Sequence, residues 1–460
     1  MRIDLSGEWQ LSYRPQRIQW VELGDVDFSD MPIVSALVPC NVELDLMRAG
    51  ILPDLALGNN IYRLREFETY EWWHRRSFAA PAVPHRHSAQ LVFEGLDCLA
   101  HVWLNGVLVG EGVNALVPQR FDVTDALREG ENDLVVRIRS AVLEGRQHVP
   151  TPLESALPCG FESLPIRKAP HCYGWDIMPR AVSAGIWRNV YIQFLHPTHW
   201  RSVYWATMAI DHPNRSAVLF VDWDFTTDAH AVDDWRVRLR PTVEMLVDLN
   251  CNMVCCWGRN VYESEDFFNL YDRHGIMVWQ DFALACGVYP DSIIPAVRRE
   301  AEEVVRRFRN HPSLVLWCGN NEIDHTYLWS GPVIDPNTDR ISREVLAAVV
   351  RQYDPFCPYL PSSPYVSPEV MRRGGDINLS PEQHLWGPRD DFKGVFYTRS
   401  LAHFVSDIGY HGCPERRTLE QFLDPGNLWH WQDNEQWLTH ATRPLPEMTD
   451  FNYCIPLMAN

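Results

Sequence analysis

Leu314-Val315-Leu316-Trp317-Cys318-Gly319-Asn320-Asn321-Glu322 is an apolar run that breaks off at a glycine, two asparagines and a carboxylate. A short apolar run closed by turn residues reads as a buried strand, and its polar exit as the start of a loop. The pattern repeats on both sides. Upstream, Asn252–Trp257 and Ile276–Trp279 are buried-strand runs. Between them Phe267, Phe268 and Tyr271 mark a helix face stopped by Gly275, and Leu239, Val243, Leu246 and Val247 mark an earlier face with Pro241 near its first turn. A helix over roughly 294–309 leads into the quoted strand. Another, over about 341–353, precedes Tyr359-Leu360, and short strands follow at His384-Leu385-Trp386 and His403–Ser406. Repeated βα units with polar strand exits predict a (β/α)8 TIM-type barrel over 236–460, whose active site lies at the C-terminal strand ends.

The N-terminal part follows a different rule. Residues 1–196 alternate apolar and polar in short runs, such as Gln90–Glu94, His101–Leu104 and Asp133–Ile138. Asn105-Gly106 is a two-residue hairpin signal. This series predicts a jelly-roll-like β-sandwich. Residues 197–235 carry two or three further strands, too few for an independent sandwich, which needs about seven. The fold class is therefore multidomain, β followed by α/β.

Of 460 residues 46% are hydrophobic and 22% charged, as in ordinary globular chains rather than disordered or fibrous ones. A formal net charge of -19 disfavours nucleic-acid and anionic-membrane partners. There is no apolar run of membrane-spanning length, and the opening MRIDLSGEWQLSY reads as a strand rather than an export signal, so a cytoplasmic location is expected. The twelve cysteines form no CxxC pair, and Cys251, Cys255 and Cys256 sit in an apolar run without a neighbouring histidine. Reduced thiols are expected, with neither a metal site nor a cofactor. Nineteen tryptophans, many beside Gly, Asn or Asp, fit either core packing or flat faces for stacking on sugar rings.

Glu322, just past a buried strand, is placed to be held partly buried with a raised pKa, ready to protonate a leaving oxygen; the blander reading is a solvated helix-capping carboxylate. Asp407, in Phe404-Val405-Ser406-Asp407-Ile408-Gly409-Tyr410, again follows a strand. It reads otherwise as a turn residue before Gly409. Two carboxylates on two strand ends of one barrel are the equipment of a glycosidase.

At these residues the chain resembles glycoside hydrolase family 2, of the β-mannosidase type. Leu5-Ser6-Gly7-Glu8-Trp9, Val38–Leu46, Trp72–Phe78 and the Asn105 hairpin resemble the family's sugar-binding domain. Tyr173-Gly174-Trp175-Asp176 and Ala184–Arg188 resemble the loop reaching from that domain to the barrel site. Trp257-Gly258, Tyr262-Glu263, Val278–Phe282, Trp317–Glu322, Pro361–Tyr365 and Gly409–Pro414 match the barrel. The resemblance implies a retaining exo-acting hydrolase of β-linked sugars, acting on an oligosaccharide or glycoside. Glu322 would be its acid/base and Asp407 its nucleophile. Asn321, Trp175, Asp176, Trp257, His384 and Trp386 would line the sugar pocket, and the Gly-Trp-Asp loop favours mannosides.

Three departures accompany the resemblance. The family's nucleophile is Glu where this chain has Asp407, which draws the attacking oxygen back by about a bond length. Cys255 stands where the family has an arginine that charges and orients the nucleophile, and Arg259 where it has glycine. The barrel also lacks clear first and eighth strands. Residues 197–235 then read as a remnant immunoglobulin-like sandwich, and the whole as an internally deleted, C-terminally shortened member. The competing expectation is a homologue that binds sugar without cleaving it.

Overall fold

The alternation along residues 1–196 builds two facing sheets. The computed structural model describes the chain except residues 1, 18–21, 157–159, 176–177, 197–199, 212–215, 226–245, 330–332, 386–394, 396, 409–413, 430–433 and 442–460. One sheet has six strands: β2 (Gly7–Pro15), β3 (Ile33–Val38), β4 (Tyr70–Ala80), β7 (Ala100–Leu104), β8 (Val107–Gly112) and β10 (Gly130–Ile138), in the order β3-β2-β4-β10-β7-β8. The other has four: β1 (Arg2–Asp4), β5 (Ser88–Phe93), β9 (Gln119–Asp122) and β13 (Val190–Leu195), in the order β1-β13-β5-β9. A short pair, β6 (Leu96–Asp97) with β12 (Gly185–Ile186), closes one end. In β13 every second residue, Val190, Ile192 and Phe194, is buried. These meet Trp9, Leu11, Leu134 and Val136 of the opposite sheet in one core, the geometry that a period of two dictates. The β7–β8 turn has Asn105 at φ 53° and Gly106 at φ 83°. Both lie in the left-handed region a twisted two-residue hairpin requires.

Beyond the sandwich, β14 (Trp200–Asp211) and β15 (Ser216–Phe225) form an antiparallel hairpin. A lone hairpin is marginal in water, and this one is propped on the next unit. Tyr204 OH donates to Asp354 Oδ1 (2.8 Å), and Asn310 Nδ2 donates to the Val203 carbonyl (2.7 Å).

The second half is α/β. Strands β16 (Met253–Cys256), β17 (Met277–Asp281), β19 (Leu314–Cys318) and β20 (Tyr359–Leu360) run parallel in that order, followed by a parallel pair, β21 (Glu382–Leu385) and β22 (Phe404–Ile408). The helix Glu265–His274 starts at Ser264, whose hydroxyl accepts from the Phe267 N–H, and ends at Gly275 with φ 67°. The helix Ile294–Phe308 turns Val297, Ala301, Val304, Val305 and Phe308 inward. The expected 341–353 helix starts with a π-helical stretch, Ile341–Leu346, before Ala347–Tyr353. Of the expected helix around Leu239 and Val243, only the end near Leu246 falls within the described residues.

A buried polar clasp joins sandwich to α/β unit. Arg167, in a loop of the N-terminal part, donates from Nε to Glu300 Oε2 (2.9 Å) and from Nη2 to Glu300 Oε1 and the Ala283 carbonyl. Asn114 Nδ2 and Tyr262 OH complete the Glu300 shell at 2.8 Å each. Nearby, β11 (Ser155–Ala156) pairs with β18 (Gly287–Val288). All nine described cysteines are free thiols. Among the described residues, no helix is long and apolar enough to cross a membrane.

Candidate active site

The C-terminal ends of β19, β21 and β22 carry the candidate chemistry. Gly319 lets β19 pass close to the next chain segment, because a Cβ there would collide with the Pro361 carbonyl. Asn320 is wholly buried and structural. Its Nδ2 donates to Ser342 Oγ (2.7 Å), and its Oδ1 accepts from the Ile323 N–H (3.1 Å), capping the helix Ile323–Trp329. Bridges from Asn321 to Ala285 and to Ser363 carry the parallel pairing one step past the strand ends. Glu322 then takes a left-handed backbone, φ 56°, held by its N–H donating to the Ser363 carbonyl (2.7 Å). An L-residue pays about 1–3 kcal/mol for a sparsely populated backbone state, which persists only where surroundings enforce it.

The Glu322 carboxylate is held from both sides. His384 Nδ1 donates to Oε1 at 2.8 Å, and the Cys286 thiol donates to Oε2 at 3.2 Å. Cys286 also has a left-handed backbone, φ 43°, and accepts from Asn321 Nδ2 at 3.6 Å. The strand period places Glu382 and His384 on one face of β21. A register shift between Gln383 and His384 sets Asp407 opposite His384, with Asp407 Oδ2 3.8 Å from Nδ1. The far side of the imidazole rests on Ser363 Oγ (3.0 Å), whose hydroxyl donates to Glu382 Oε1 (2.8 Å). One oxygen each of Glu322 and Asp407 and a nitrogen of His384 all lie within 4.8 Å of one another.

Electrostatics correct one expectation. Burial pushes the Glu322 carboxyl up, but the His384 hydrogen bond, the charges of His384 and His325 and the Cys286 thiol outweigh it, leaving the carboxyl below its ordinary range rather than above it. His384 mirrors this. Burial pushes it down, yet Glu322, Asp407 and Glu382 hold it above its ordinary 6.5. Glu322 and His384 therefore share one proton, resting on the imidazole. The neighbouring Asp281 behaves oppositely. Burial raises it to about 7, against hydrogen bonds from Trp279 Nε1, the Cys318 thiol and the Gly258 N–H. Cys255, on the adjacent strand, offers no cation. Desolvation and then the charge of Asp281 push its thiol up, so it stays neutral.

The aromatic residues expected in the sugar pocket are only partly in view. Trp175 and Trp257 lie together, ring centroids 6.1 Å apart. The Arg259 guanidinium covers Trp175 at 3.6 Å from the ring centroid, so that face is occupied from within the chain. Asn321 turns its amide to Cys286. Asp176 and Trp386 lie outside the described residues. Cys286, Ser363, Glu382 and His325 were not singled out as site residues. Glu382, two places before His384 on a short strand, carried a readable signal in the period-two rule; the others had none.

The chain thus joins a β-sandwich to a parallel α/β unit in which two carboxylates converge beyond the strand ends. The description "Glycosyl hydrolase 2 galactose-binding domain-like" fits residues 9–188. Beta-mannosidase B of Thermothelomyces thermophilus is 26% identical over 84% of this chain and 60% of its own length. Beta-mannosidase B of Aspergillus terreus is 26% identical over 86% and 61%. Among solved structures, the beta-D-mannosidase of Dictyoglomus thermophilum superposes with a TM-score of 0.81 at 23% identity, covering 99% of this chain and 70% of that one. The exo-chitosanase of Amycolatopsis orientalis does so with a TM-score of 0.63 at 13% identity, covering 98% and 64%. The chain is thus similar to β-mannosidases along most of its length and matches the galactose-binding-like domain of glycosyl hydrolase 2 over residues 9–188. It spans about 60% of the length of the curated relatives it matches.

Proposed function

We propose that the chain is a retaining exo-β-glycoside hydrolase that removes a terminal β-linked sugar, a mannoside by preference, from an oligosaccharide or glycoside. The observation that carries this reading is the approach of Glu322 and Asp407 to within 4.8 Å. That separation suits double displacement, in which the carboxyl groups stand about 5–5.5 Å apart, rather than the wider spacing that admits a water for inversion. Glu322 takes the proton it shares with His384 and delivers it to the glycosidic oxygen as Asp407 attacks the anomeric carbon. Water, deprotonated by Glu322, then releases the sugar from Asp407. In this reading Asn321, Trp175, Asp176, Trp257, His384 and Trp386 surround the sugar. Strands β16, β17, β19, β20, β21 and β22 are staves two to seven of a (β/α)8 barrel, and the β14–β15 hairpin is what remains of an immunoglobulin-like sandwich.

Hydrolysis of a panel of aryl β-glycosides by the purified chain tests the proposal, with Glu322→Gln as control. The mannoside is expected to be cleaved, with the control slower by about 10²–10⁴-fold. Folded protein that binds mannose in a calorimeter but cleaves nothing would refute the hydrolase reading and leave a sugar-binding protein.

A further inference from the structure

Glu322, His384 and Asp407 offer more than a proton relay. They come from three different elements, yet each turns one ligand atom to a common point, all within 4.8 Å of one another. Around a tetrahedral zinc ion with bonds of about 2.0–2.1 Å, ligand atoms lie roughly 3.3 Å apart. His384 Nδ1 stands 2.8 Å from Glu322 and 3.8 Å from Asp407, distances that bracket that edge. The imidazole side chain is only 3% exposed, and its far nitrogen is already fixed. Ser363 commits its hydroxyl proton to Glu382 Oε1, so its oxygen accepts from the Nε2–H of His384 and leaves Nδ1 facing the carboxylates. Outer partners of this kind are what hold a metal-binding histidine in place.

A second observation points to the same spot. His325, one helical turn after Glu322, is 3% exposed, and neither of its ring nitrogens has a hydrogen-bond partner. Buried polar atoms without partners are rare and call for a cause. Its ring centroid lies 6.4 Å from that of His384. A proton on His384 serves one carboxylate well. A divalent cation in its place neutralises both carboxylates and sets a charge near that unpartnered imidazole.

We propose that Glu322, His384 and Asp407 form a three-ligand site, with the fourth position open to water, for a divalent transition-metal ion of the zinc kind, taken up in competition with the sugar. The mixed imidazole and carboxylate set suits zinc over calcium or magnesium, and zinc over manganese on intrinsic affinity. It rests on the same carboxylates as the hydrolase reading, and a loaded site withholds both of them from catalysis.

The test is titration of zinc chloride alone into the purified full chain by calorimetry, with cobalt(II) as a visible reporter. One ion per chain is expected, in the micromolar range, with ligand-field bands and no thiolate charge-transfer band. Asp407→Asn, which keeps the shape of the side chain, is expected to weaken binding by about 100-fold, and Ser363→Ala by about 10-fold. Cys255→Ser is expected to change nothing. No binding, binding indifferent to Asp407→Asn and Ser363→Ala, or a thiolate band would each overturn the proposal. Binding is read here without turnover. A chain that binds zinc at this site but cleaves no glycoside refutes the hydrolase reading alone; an active chain that fails the titration refutes the metal site alone.

Discussion

Cys255→Arg offers a quantitative test of the electrostatics beside the site. In the native chain Asp281 is 2% exposed, and burial holds its carboxyl at about 7 against an ordinary 3.8. Folding therefore makes Asp281 bind its proton more tightly. Between those two values the folded state holds more protons than the unfolded one, so stability falls as pH rises through the window and levels off above about 7. A difference of about 3 pKa units corresponds to about 4 kcal/mol. The Cys255 sulfur already feels the charges of Asp281 and Asp407, so a guanidinium introduced there acts on both carboxylates. The substitution is expected to return Asp281 to the ordinary carboxylate range and remove most of that fall. Denaturant melts of both proteins from about pH 4 to about pH 8 provide the assay. Relative to the native chain, the variant is expected to gain up to about 4 kcal/mol between the two ends. His384, whose raised pKa also makes stability fall with pH, is coupled to Asp407, and a guanidinium that offsets that charge lowers its share of the fall in the same direction. Parallel stability curves for the two proteins would refute the reasoning.

Two further expectations follow from the hydrogen bonds. Cys286→Ala removes a donor from Glu322 Oε2, so the pKa of Glu322 should rise and the limb of the kcat/KM pH profile that it governs should move upward, while Cys286→Ser should keep the native profile. Glu300→Ala strips the partner from buried Arg167 and should cost about 3–5 kcal/mol. The damage should be visible as protease cleavage in the loops between sandwich and α/β unit.

What was legible in the sequence followed local rules. Asn105-Gly106 named its hairpin, Gly275 stopped the helix marked by Phe267, Phe268 and Tyr271, and the apolar runs at 252–257, 276–279 and 314–318 hold neighbouring parallel strands. What stayed hidden depends on contacts distant in sequence. Glu300 meets Arg167 across 133 positions, and His384 meets Glu322 across 62. The direction of the Glu322 shift was misread for that reason: burial could be inferred from a strand end, but the imidazole that overrides burial sits on another strand. The same holds for Asp407. Its side chain is one methylene short of the family's Glu, and only the register shift in the β21–β22 pair, which no local pattern announces, sets it opposite His384 and within 4.8 Å of Glu322.

The most direct measurement is covalent trapping with a 2-deoxy-2-fluoro-β-mannoside bearing an activated leaving group, followed by peptide mass spectrometry. Double displacement requires one fluoromannosyl group on the peptide containing Asp407, and its absence from the Asp407→Asn variant. Hydrolysis that leaves Asp407 unlabelled, with release of the inverted sugar, would contradict the account.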